Sequence, residues 1–154
     1  MNAPSVLVIV GMTATILAFG ASLSAFAAAP PPNPCKLVTV PEIEQIVGPL
    51  NAAPKATDPS TGEITCTFRP SARLDFVDIS LHDGDLAAWM RRNGGKNPQM
   101  APEFGAGSFV TPDFEGFAEL YAKRGAFVLR VSVPKGAQSV ETVKAIARKA
   151  LPRL

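Results

Sequence analysis

The sequence predicts an α+β domain: one antiparallel sheet of about five strands with helices packed against it. Segments of two-residue alternation and segments of helical spacing follow one another as helix, strands, helix, strands, helix. The last two strands lie too close together for the crossover connection that a parallel pair requires. Two cysteines, Cys35 and Cys66, bracket the first third of that pattern.

The domain does not begin at the first residue. Met1 to Ala29 carries no charged side chain, and "VLVIVGMTATILAFGASLSAF", Val6 to Phe26, is almost wholly apolar or small. It ends on Ala25-Phe26-Ala27, a small-x-small cleavage pattern, with Ala27-Ala28-Ala29 as a second one. Residues 1–27 therefore read as a signal peptide, with cleavage after Ala29 or retention as an anchor as the alternatives. Retention draws on the lack of Lys or Arg before the apolar run, and on a run length that approaches the roughly 20 residues of a membrane span. Residues 28–34 form a proline-rich, extended spacer, and 35–154 a single domain large enough to bury a core.

Each element can be justified in order. Thr39 with Glu42 three residues on fits a capping box, Pro41 is tolerated in a first turn, and Ile43, Ile46 and Val47 form an apolar stripe ended by Gly48-Pro49. Asn51 to Gly62, "NAAPKATDPSTG", is turn-forming and reads as a loop. In the strand "ITCTFR", Ile64, Cys66 and Phe68 share one face. "RLDFVDISLHD" changes phase near Phe76 and Val77, which predicts either a bulge there or a strand covered on both faces.

"DGDLAAWMRRNGG" predicts a second helix, capped by Asp83 or Asp85, stopped by Gly94-Gly95, with Leu86, Trp89 and Met90 on one face. Lys96 to Gly107 reads as a long loop. Three strands follow, at Ser108 to Thr111, Gly116 to Lys123 and Ala126 to Val133, the last two joined by a hairpin at Arg124-Gly125. Phe127, Leu129, Val131 and Val133 make one apolar face of the last strand, with Arg130 and Ser132 opposite. A final helix from Ser139 to Leu151 buries Val140, Val143, Ile146, Ala147, Ala150 and Leu151.

Cys35 could be a lipid anchor, a reactive thiol or half of a disulfide. Pro32, Asn33 and Pro34 precede it, where a lipidation signal needs small and aliphatic residues. A catalytic thiol lacks support, since there is no Cys-x-x-Cys and the only histidine, His82, has no evident link to either cysteine. An even pair in an exported chain reads first as a disulfide, and the inward phase of Cys66 places it where Cys35 could meet it.

The charge balance, 15 basic against 13 acidic residues, is too mild to imply nucleic acid. "HDGD", His82 to Asp85, with Asp75 and Asp78 just before it, is the densest set of potential metal ligands, but capping and turn formation explain it as well. Trp89 with Arg91 and Arg92 has the residue types of an interface anchor, although Trp89 at helical spacing with Leu86 also reads as core. "PEFGAGSF", Pro102 to Phe109, lacks the Lys-Ser/Thr pair and following helix of a phosphate loop. Ser108 lacks a nucleophile elbow.

The assembled chain resembles uncharacterised envelope domains with a PsbP-like fold, including a lipoprotein family common in actinobacteria. The matching stretches are "CKLVTVPEIEQIVG", "GEITCTF", "FGAGSF", "YAKRGAFVLRVSV" and "VKAIARKALPRL". The departure is at the first cysteine, since lipoprotein members carry a separate lipidated cysteine that this chain lacks. The resemblance implies a non-enzymatic domain, a sheet sandwiched by helices, used for protein or small-ligand binding, and it lends no catalytic residue.

The expected function is thus a periplasmic or secreted binding or accessory domain for an envelope protein or small ligand, with no cofactor and with its partner surface around Lys96 to Gly107. The alternatives are a small envelope hydrolase or metal-dependent enzyme using His82 and nearby acids, and a structural cell-envelope protein.

Overall fold

The computed structural model describes residues 32–57, 63–71, 74–93 and 97–154. The predicted signal segment, most of the spacer and the Gly94-Gly95 helix stop lie outside them. Helices α1 (Val40–Val47), α2 (Leu86–Asn93) and α3 (Ser139–Ala150) accompany strands β1 (Leu50–Ala56), β2 (Ile64–Pro70), β3 (Val77–Asp83), β4 (Gln99–Met100), β5 (Phe109–Phe114), β6 (Phe117–Arg124) and β7 (Phe127–Pro134). The strands form one sheet in the order β1-β2-β3-β7-β6-β5-β4, every adjacent pair antiparallel. Two meanders, β1 to β3 and β4 to β7, thus meet where β3 pairs with β7.

The fold is α+β with an antiparallel sheet, but the expectation of about five strands, made with the PsbP-like arrangement, is corrected: among the described residues the sheet has seven. The two unforeseen strands are its edges. β1 occupies the predicted Asn51 to Gly62 loop, and its sequence, "LNAAPKA", holds few strand-favouring residues, with a proline that only an edge tolerates. Two register shifts against β2 accompany it. β4 lies inside the predicted Lys96 to Gly107 loop and is only two residues long, below what periodicity can reveal.

One face of the sheet carries the main core. Phe68, Ile79, Leu81, Leu120, Leu129 and Val131 pack there against Ile43 and Val47 of α1 and Val143, Ile146 and Ala147 of α3. The phase change in the third strand is resolved by its start: β3 begins at Val77, so Leu74 and Phe76 precede it, and it runs regularly from there. Ser80 and His82 on its other face are buried too, so that strand is covered on both sides over this stretch.

Cys35 and Cys66 form a disulfide with Cα atoms 5.1 Å apart. Cys35 sits in a 3-10 turn, Pro34–Lys36, directly before the buried Leu37 and Val38, so the bridge fastens the start of the domain onto β2.

The two ends of the domain are clamped by charge. Glu42 accepts from the Thr39 backbone N–H (2.9 Å), as the capping pattern predicts, and also from the Thr39 hydroxyl (2.9 Å). It also takes a bidentate contact from Arg153, Nη1 at 2.7 Å and Nη2 at 2.9 Å, while Nη1 reaches the Leu37 carbonyl at 2.9 Å. Arg153, followed by the Thr39 N–H, holds the Glu42 carboxyl down to about 2. Because the folded value lies below the unfolded one, this contribution is full above pH 4.5 and fades as pH falls toward 2. Arg153→Ala should therefore lower thermal stability more at pH 7 than near pH 2, where only the bond to the Leu37 carbonyl is left to lose, as melting curves across that window would show. A variant whose deficit persisted undiminished in acid would exclude the clamp.

Candidate functional site

The second face of the sheet is polar, and register aligns it in rows. Thr65, Ser80, Arg130, Tyr121 and Phe109 stand side by side on β2, β3, β7, β6 and β5. Thr67, Asp78, Ser132, Glu119 and Thr111 form the next row. Each follows from strand alternation, since its chain neighbours point into the main core.

Arg130 is the centre of the charge pattern. Its Nη1 lies 3.6 Å from Glu63 Oε1, and its Nε 3.5 Å from Glu119 Oε1. The Tyr121 hydroxyl donates to Glu119 Oε2 at 2.6 Å. Thr65 donates to Glu63 Oε1 at 3.0 Å and stands 2.7 Å from the Ser80 hydroxyl, while Thr67 donates to Asp78 at 2.6 Å. Glu119 is only 4% exposed, so these partners stand in for the water its carboxylate oxygens have lost.

His82 Nε2 lies 3.4 Å from Glu63 Oε1. Burial nevertheless pushes the imidazole below its ordinary value, opposed by Glu63 and reinforced by Arg130 and Arg92. With the ring 6% exposed, burial prevails and His82 is neutral at pH 7, so its approach to Glu63 is a dipolar contact rather than an ion pair. Burial pushes Glu63 upward, but His82, Arg130 and the Ser80 and Thr65 hydroxyls outweigh it and hold the carboxyl below its ordinary value. Asp78 is raised by burial against the pull of Thr67 and Arg130.

α2 roofs one end of this face. Leu86, with Trp89 and Met90, packs on Phe109, Tyr121 and Val128 as a second small core. The Trp89 ring lies 4.3 Å from the His82 ring and 5.6 Å from Tyr121, which stacks on Phe109 at 4.8 Å. The Arg92 guanidinium sits over Trp89 at 4.8 Å. Trp89 is thus packed as the helical spacing predicts, whereas Arg91 and Arg92 are exposed.

Beyond the reach of α2 the face is open. Ala52, Ala53, Lys55 and Ala56 of β1, with Thr67 and Arg69 of β2, line a shallow trough of about 690 Å³. Lys55 and Arg69 are exposed there, and the half-buried Asp78, opposite Thr67, lies within reach of the Arg69 charge.

The predicted metal cluster does not assemble. His82 faces α2, Asp83 and Asp75 are exposed, and the Asp85 carboxylate caps α2 by accepting from the Ala87 N–H at 3.1 Å. Among the described residues no three His, Cys, Asp or Glu side chains converge on one point. The predicted partner loop is anchored rather than free, since Ala101 and Phe104 are buried and Pro102–Phe104 forms a 3-10 turn, although Met100 stands 57% exposed. Glu63, Glu119, Tyr121 and Arg130 escaped the sequence reading as site residues. The only trace was the alternation that set Arg130 and Ser132 opposite the apolar face of their strand.

Fold and site together define a disulfide-stapled α+β domain with one apolar and one polar sheet face. No family model matches the chain, and no curated protein does. A solved structure described as a GTP binding regulator from Thermotoga maritima is similar over 78% of this chain and 93% of its own, at 16% identity and a TM-score of 0.40. That likeness is too slight to bear on function.

Proposed function

We propose that the chain is an exported, non-enzymatic binding or accessory domain whose partner, an envelope protein or small ligand, lies against the open polar trough of β1 to β3. The observation behind this reading is the half-covered polar face: α2 ends over β5 to β7 and leaves Lys55 and Arg69 in solvent, with Thr67 half-buried between them and a half-buried charge network behind. Polar sheet faces of this kind offer many hydrogen-bonding groups at fixed spacing. The Cys35–Cys66 bridge fits an oxidising compartment, and the apolar segment ending at Ala27 supplies the route to it. Catalysis is disfavoured by the setting of His82, whose ring lies beneath Trp89, with the nearby Thr65 and Ser80 hydroxyls 2.7 Å apart.

The test uses the chain recovered from the envelope of an expressing bacterium, with a photo-crosslinking residue in place of Thr67. Its intact mass should begin at Ala28 or Pro30, its thiols should label only after reduction, and one crosslinked species of defined added mass should vanish in a Lys55→Glu, Arg69→Glu double variant. Full length would mean that the apolar segment is retained as an anchor, and free thiols would defeat the oxidised, exported reading. Crosslinking indifferent to the charge reversals would move the partner off this face, and turnover of a substrate by the wild type but not by His82→Ala would make the domain an enzyme.

A further inference from the structure

A second cleft lies away from the polar trough. The tip of the β6–β7 hairpin, the C-terminal end of α3 and the 3-10 turn at Pro102–Phe104 enclose a space of about 500 Å³. Its apolar wall is Phe104 and Leu151, each 7% exposed, extended by Pro152. Around it stand three cations: Lys123 and Arg124 from the hairpin, and Arg148 from the last turn of α3.

The charge there is out of balance. Among the described residues Glu103 is the one acid lining the cleft, and Lys144 holds it at 3.3 Å. Its own backbone N–H, with Lys144 and Arg148, keeps its carboxyl below the ordinary value, so it stays ionised and already shared. Among the described residues, Lys123 and Arg124 make no ion pair, and Arg148 has its guanidinium over the Phe104 ring at 5.6 Å. Arg148 also serves the negative end of the α3 dipole, as any basic residue in a last turn does. Lys123 and Arg124 belong to no helix, and that explanation leaves them out. A chain whose net charge is only +2 gathers four cations against one acid at this end.

Guanidinium groups bind phosphate and carboxylate through paired N–H donors, and a space of this size beside an apolar wall suits a small organic molecule. Once Glu103 is offset by Lys144, three positive charges remain, which matches a dianionic head better than a single carboxylate. We propose that this cleft binds a soluble phosphate monoester, its phosphate among Lys123, Arg124 and Arg148 and its organic body against Phe104 and Leu151. The site is independent of the sheet-face reading above.

The experiment titrates the exported chain with butyl phosphate, with butanol as the uncharged control, and follows backbone amide resonances. Saturable shifts should centre on Gly105, Lys123, Arg124 and Arg148 and be absent with butanol. A Lys123→Gln, Arg124→Gln pair, placed at an exposed hairpin tip where folding is not at stake, should weaken binding at least roughly tenfold. Arg148→Ala should do the same, while Lys149→Gln, one residue outside the cleft, should bind as the wild type does. Shifts spread over all surface cations, equal weakening by Lys149→Gln, or no saturation would overturn the proposal. So would capture by vesicles of phosphatidic acid without binding of butyl phosphate, which would assign these cations to a membrane surface.

Discussion

Replacing Cys35 with serine and Cys66 with alanine should lower the thermal midpoint by about 10 to 20 °C. The bridge closes a loop of about 32 residues, for which the chain-entropy treatment gives roughly 3.7 kcal/mol. A domain of this length loses about 3 to 5 °C per kcal/mol. The native geometry makes the bond matter more than its loop alone, because Cys35 leads directly into Leu37 and Val38, 2% and 1% exposed. Without the bridge, the short 3-10 turn and the Arg153 clamp are left to hold that apolar pair against the sheet. Alanine at position 66 avoids burying a hydroxyl where the sulfur was fully enclosed. Calorimetry of the double variant against the oxidised wild type decides the matter, and a fall under about 3 °C would mean that packing alone holds the start of the domain.

Glu119→Ala should cost about 2 to 4 kcal/mol, comparable to loss of the disulfide. The carboxylate is 4% exposed, accepts from the Tyr121 hydroxyl at 2.6 Å and lies 3.5 Å from Arg130 Nε. Removing it leaves the guanidinium with Glu63 at 3.6 Å, itself 35% exposed and so screened by solvent. Much of the loss is the penalty of leaving the half-buried guanidinium and the buried Tyr121 hydroxyl without Glu119, which sets the sign of a second expectation. Converting both partners, in a Glu119→Leu, Arg130→Met double variant, should recover much of the stability lost by the single change. Chemical denaturation of the wild type, both single variants and the double one gives the coupling directly. If Glu119→Ala unfolded within about 0.5 kcal/mol of the wild type, the polar face would be solvated rather than buried, and its organisation around Arg130 would have to be abandoned.

The legible parts of the fold were those where one local pattern decides one element. α3 follows from Val143, Ile146, Ala147 and Ala150 at helical spacing, all buried as that spacing implies. β7 follows from the alternation of Leu129, Val131 and Val133. α1 follows from the Thr39–Glu42 cap, which the protein forms with the bond from the Thr39 N–H. The disulfide was readable because the strand phase of Cys66 and the even cysteine count pointed the same way. β1 and β4 were illegible for the opposite reason. Their residues form strands because β2 and β5 present free edges to them, and an edge strand with Pro54 or of two residues has no periodicity of its own.

The candidate site was the least legible feature. His82 was visible as a lone histidine, and its acid neighbours along the chain were the natural partners to consider. The side chains that meet it are instead Glu63, 19 positions earlier, and Trp89 on the following helix. Glu119 and Arg130 come together only because β6 and β7 pair in the register that sets Glu119 opposite Ser132 and Tyr121 opposite Arg130. By itself the sequence determined the α+β class, the helices, the central strands and the cysteine bridge, because side-chain periodicity and capping act within a few residues. Only the tertiary structure decided the strand count, the polar rows across the sheet and the cationic cleft, because each depends on the register and edges of strands far apart in the chain.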